Sequence, residues 1–144
     1  MGVILIADSD PEVRKLLAGV LIEAGYKVSA TGSAARALGD MLSHNAQVLI
    51  LGTQLECLTA AELVPLLKKC NQDATIILVS DDQPLPQIRK VRREGIFYHL
   101  LRPSNAEDGE ELCLAVRCAM ERKPHPPADA FEPPVNPVFA RRMS

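Results

Sequence analysis

Two hydrophobic periods alternate along this chain, and that alternation restricts its fold more than any other feature. Unbroken apolar runs, Val3-Ile4-Leu5-Ile6, Val48-Leu49-Ile50-Leu51 and Ile76-Ile77-Leu78-Val79, give way to stretches whose apolar residues recur three and four apart. This is the pattern of parallel strands joined by helices. Strands are predicted at residues 3–8, 26–31, 47–52, 74–80 and 96–101, giving five βα units. Continuous apolar character in the first, third and fourth strands implies burial on both faces, as a sheet covered by helices on each side requires. The second, Tyr26-Lys27-Val28-Ser29-Ala30-Thr31, alternates and belongs at an edge.

The helical stretches carry their own signals. Asp10 is placed to cap the first helix and Pro11 suits its first position, with Val13, Leu16, Leu17, Val20, Leu21 and Ala24 as the apolar stripe and Gly25 as the stop. A second helix is expected from Ser33 to about Ser43. Thr59-Ala60-Ala61-Glu62 is a capping box opening a third, in which Pro65 should bend the start or delay it. Leu85, Ile88 and Val91 suggest a short helix over about 84–94, and Leu112, Ala115, Val116, Ala119 and Met120 another over about 105–122.

With 144 residues, 47% of them hydrophobic, one domain is expected, over residues 1–122. Residues 123–144 hold six of the eleven prolines and no helical or strand period, so they read as a Pro-rich tail or linker. Four-residue apolar runs fall far short of the ~20 residues that cross a bilayer, and no basic segment precedes the first run. A cytoplasmic location and no membrane contact are expected. The net charge of −2, the absence of Trp and the five Tyr and Phe residues argue against direct nucleic-acid binding. Cys57, Cys70, Cys113 and Cys118 lack zinc-site spacing and are expected as buried free thiols; no metal or cofactor is expected.

Functional groups of an open parallel sheet collect past the carboxyl ends of its strands. Here those ends carry Asp8-Ser9-Asp10, Gly52-Thr53, Ser80-Asp81-Asp82 and Arg102-Pro103. The run Ile4 to Pro11 with Val13-Arg14-Lys15-Leu16-Leu17, the strand Ile77-Leu78-Val79-Ser80, and Gly95 through Pro103 together resemble the receiver domain of bacterial response regulators. The resemblance covers about residues 1–122. It implies a flavodoxin-like (βα)5 fold, a doubly wound parallel sheet in strand order 2-1-3-4-5, and a protein-interaction role in two-component phosphorelay signalling rather than an enzyme.

Departures from the family pattern shape the functional expectation. Counting along the third strand puts Gly52 at the family's phosphoacceptor aspartate, Ser9 at the second carboxylate of its acidic pair, and Arg102 at its lysine. Asp8 and Ser80 match, and His99 falls on the aromatic switch position. The resemblance therefore implies a pseudo-receiver without phosphorylation at the usual position and with poor Mg²⁺ affinity.

Each residue also has a structural reading. Asp8 and Asp10 can cap the first helix, Ser80 can be a loop hydroxyl, His99 a half-buried structural histidine, and Arg102 a counter-charge for Asp8 or Asp10. Arg89, Lys90, Arg92 and Arg93 oppose Glu107, Asp108, Glu110 and Glu111 in sign, either as solvated surface or as the face of a weak homodimer. That face would combine the 84–94 helix, the 96–101 strand with Ile96 and Tyr98 outward, and the 105–122 helix. Two alternatives remain: a small phosphatase-like enzyme using Asp8 and Asp10, against which Pro11 and the missing catalytic lysine count, and a flavodoxin-like ligand binder, against which the lack of a Ser, Thr and Gly phosphate cradle counts.

Overall fold

The structure, a computed structural model, describes residues 3–80, 93 and 95–121. Its elements run β1 (Val3–Ala7), α1 (Pro11–Glu23), β2 (Lys27–Thr31), α2 (Ala34–Leu42), β3 (Val48–Leu51), β4 (Gln54–Leu55), β5 (Leu58–Thr59), α3 (Ala60–Cys70), β6 (Thr75–Ser80), β7 (Tyr98–Leu101) and α4 (Ala106–Glu121). Five strands form a parallel sheet in the order β2-β1-β3-β6-β7, with the alternating strand β2 at the edge. Counting only the sheet strands, this is 2-1-3-4-5. The expected 84–94 helix, apart from Arg93, and the 123–144 tail lie outside the described residues.

The strand period divides the core in two. Leu5, Leu49, Leu51, Ile76 and Leu78 face α2 and α3, where Met41, Leu63 and Leu67 pack on them. Ile4, Ile6, Val48, Ile50, Ile77 and Val79 face α1 and α4, meeting Leu17, Leu21, Leu112 and Val116. Successive residues of a strand point to opposite faces, so only apolar runs can serve both layers.

Local signals set the helix ends. Asp10 accepts the Glu12 N–H at 2.9 Å with Pro11 in the first turn of α1. At its other end Gly25 adopts φ +98°, letting Gly25 N–H reach the Ile22 carbonyl and Tyr26 N–H the Leu21 carbonyl. The Thr59–Glu62 capping box is present.

Several expectations are corrected. Pro65 does not delay α3, which runs continuously through it; the N–H it lacks would have served Ala61 in the first turn. Leu16 and Ala24 are exposed, so the buried stripe of α1 narrows to Val13, Leu17 and Leu21. Cys57 and Cys118 are exposed and Cys70 and Cys113 half-buried, since the first sits on a hairpin tip and the second on the outer side of α4. Ile96 packs inward beside the α2–α3 layer, leaving only Tyr98 of that pair outward.

Candidate functional site

The carboxyl ends of β1, β3, β6 and β7 bring Asp8, Gly52, Ser80 and Arg102 to one edge of the sheet. Asp8 is half-buried. Its Oδ1 accepts the Asp10 N–H at 2.9 Å, and its backbone carbonyl accepts Arg14 Nη1 at 2.6 Å. The two acids after β1 therefore divide their work: Asp10 caps α1, while Asp8 turns across the sheet end. Burial pushes the Asp8 carboxyl above its ordinary value and the Asp10 charge adds to the rise. The Asp10 N–H and the Arg102 and Arg14 guanidinium groups oppose it. Arg102 thus acts on Asp8 as an attractive charge; it is itself exposed, and its N–H donates to the Ser80 carbonyl at 2.7 Å.

Gly52 directly follows β3, buried, with its N–H on the Ala7 carbonyl at 2.9 Å. A Cβ placed on it would stand 2.1 Å from Asp8 Oδ2 and 2.6 Å from Asp8 Cγ. The Asp8 carboxylate occupies the volume into which any side chain at position 52 would have to extend. Close approach of Asp8, not backbone conformation, is what favours glycine here, for its φ lies outside the left-handed region and a side chain would have to push the carboxylate aside.

Ser9 does not face this volume as a ligand. Its hydroxyl donates to the Gln54 carbonyl at 3.1 Å and accepts the Glu56 N–H at 2.8 Å, tying the β4–β5 hairpin against the β1 end. Glu56, at φ +55°, extends the tie: its Oε1 accepts the Ala34 N–H at the start of α2, at 2.7 Å. Glu56 was missed by sequence reasoning, because a two-residue hairpin without Gly or Asn at its turn has no composition signal.

Ser80, 3% exposed, places its Oγ 2.6 Å from His99 Nε2. The parallel register β6–β7 produces this contact, setting Leu78 beside His99 and Ser80 two residues further along on the same face. The two residues assigned separately to switch positions are one hydrogen-bonded pair.

The acidic residues of α4 point to different tasks. Asp108 accepts the Ser104 N–H and Oγ, both at 3.0 Å, within its own turn. Glu111 receives the Tyr98 hydroxyl at 3.4 Å, and Glu110 lines a groove on the α1 side. Arg93 is exposed; Arg89, Lys90 and Arg92, with Asp81 and Asp82, lie outside the described residues. Among the described residues no group of three His, Cys, Asp or Glu side chains is arranged to hold a metal.

A five-stranded parallel sheet with this order and a polar cluster at its carboxyl edge defines a receiver-like α/β domain. The response regulator receiver domain family matches residues 4–116, and the chain belongs to that family. It is similar to the DNA-binding transcriptional regulator NtrC of Azospirillum brasilense, 30% identical over 132 residues that cover 90% of this chain and 27% of that protein. The chain spans about a quarter of the length of such NtrC relatives. Among solved structures it is similar to a CheY-like receiver domain from Methanospirillum hungatei JF-1, with TM-score 0.75 and 18% identity, covering 84% and 94% of the two chains. A beryllofluoride-activated NtrC4 receiver domain dimer aligns with TM-score 0.74 and 18% identity, covering 84% and 98%. At such identities these two structures speak for the fold.

Proposed function

We propose that this receiver domain works through protein contacts, without phosphoryl transfer at position 52. The observation that carries the reading is the Asp8 carboxylate seated over Gly52, where an acceptor side chain would begin. Position 52 supplies no nucleophile, and its place is filled by a group already engaged with the Asp10 N–H. The donors around it do not fit Mg²⁺. Ser9 spends its hydroxyl on the hairpin, Gly52 offers no side chain, and Mg²⁺ surrenders hydration water only to several strong anionic oxygens.

In this reading the Arg102 guanidinium stands in for a cation beside Asp8, and the Ser80–His99 pair is a fixed internal contact rather than a sensor of a phosphoryl group. Tyr98 and Leu101, 44% and 61% exposed on β7, supply the apolar part of a recognition surface for a signalling partner. An enzyme of the phosphatase type is disfavoured because Asp10 is spent on capping α1.

Incubation with acetyl phosphate and Mg²⁺ should leave the intact mass unchanged, and titration should show no saturable Mg²⁺ binding. A gain of one phosphate mapped to Asp8, Asp10 or Thr53 would refute the reading.

A further inference from the structure

The groove between α1 and α4 lies away from the strand-end site. It holds about 690 Å³ and is lined by Val20 and Glu23 from α1, by Ala24 just beyond it, and by Glu110, Leu114 and Arg117 from α4. On α4 these three residues are four and three apart, so they form one stripe along the helix. Leu114, 53% exposed, stands in the middle, with a negative end at Glu110 and a positive end at Arg117. Among the described residues neither Glu110 nor Arg117 makes an ion pair.

We propose that this stripe is a self-complementary interface for a second copy of the chain, with the two α4 helices antiparallel. A twofold axis midway between Glu110 and Arg117 sets each Glu110 opposite the partner's Arg117, and each Leu114 opposite the partner's Cys113. Each charged residue then lies about 5 Å from the axis along the helix, within reach of a Glu and an Arg side chain. A parallel arrangement would set like charges against each other, so the pattern selects one orientation. One exposed ion pair contributes little, but twofold symmetry uses this pair twice and removes both Leu114 side chains from water. Pairing here uses only the 105–122 helix of the face that the sequence suggests for self-association and leaves the β7 surface open to a signalling partner.

Sedimentation equilibrium of the full chain at high concentration and low ionic strength tests the proposal. The native chain should show a monomer–dimer equilibrium. R117E should raise the dissociation constant about tenfold or more, because it replaces two attractions by two repulsions. The double reversal E110R/R117E should restore association, since the swapped charges still face each other, and Leu114→Ser should weaken it at any salt concentration. Arg93→Glu, away from the groove, should leave it unchanged. A native chain that stays monomeric, a dimer indifferent to R117E, a double reversal that keeps its native circular dichroism yet stays dissociated, or a dimer that yields to Arg93→Glu would each overturn the interface.

Discussion

Replacing Gly52 by Ala asks the most direct question of the strand-end site. By backbone alone the change should help, because Gly52 has no left-handed φ and Ala lowers the entropy of the unfolded chain, stabilising by about 0.4–1 kcal/mol. The new Cβ, however, would stand 2.1 Å from Asp8 Oδ2, so the carboxylate must leave. Its departure breaks the bond from the Asp10 N–H, a contact to a charged acceptor that is worth ~1.5–3 kcal/mol when well shielded. Asp8 is only half-buried and regains water as it swings out, which returns part of that cost. The net expectation for Gly52→Ala is a loss of about 1 kcal/mol, from these opposing magnitudes. In an Asp8→Ala background the obstructing atoms are gone, and the same change should stabilise by about 0.4–1 kcal/mol. The cycle therefore predicts a coupling of about 1.5–2 kcal/mol between positions 8 and 52, a shift of roughly 1 M in urea midpoint. Urea unfolding of the four proteins measures it. Equal effects of Gly52→Ala in both backgrounds would mean that Asp8 does not occupy the volume at position 52, and the argument for an obstructed acceptor position would fall with it.

Two further tests address the same edge. Because burial raises the Asp8 pKa on folding, the native state holds its proton more tightly than the unfolded chain, so stability should fall as pH rises from the ordinary carboxyl value of 3.8 through the raised folded value. Asp8→Asn should flatten that slope in urea unfolding followed against pH, whereas Arg102→Ala, which removes an attraction, should extend it to higher pH; an Asp8→Asn protein with the native slope would exclude this origin. Replacing His99 by Phe removes the partner of a buried hydroxyl, so it should cost about 1–3 kcal/mol, and Ser80→Ala in that background should recover part of the loss. Thermal unfolding that is unchanged by His99→Phe would show that the Ser80–His99 contact does not hold β6 to β7.

The α/β class, the five sheet strands, the capping residues and the end of α1 at Gly25 were legible in the amino-acid sequence, because each depends on chemistry within a few residues: a continuous apolar run, a capping carboxylate, a glycine able to take positive φ. The order 2-1-3-4-5 came from the family resemblance, since periodicity says nothing about which strands adjoin. Tertiary structure alone decided what the residues at the strand ends do. Asp8 and Asp10 look interchangeable in Asp8-Ser9-Asp10, yet one caps α1 and the other lies over Gly52, a neighbour 44 positions away that β1–β3 pairing brings into contact. Ser9 reads as a lost carboxylate until the hairpin beyond β3 folds back to its hydroxyl, and Ser80 and His99 become partners only through the β6–β7 register. The acidic run of α4 likewise separates into a turn contact at Asp108, a sheet-side contact at Glu111 and a groove wall at Glu110. A helix turns about 100° per residue, so adjacent like charges face different neighbours, and those neighbours come from distant parts of the chain.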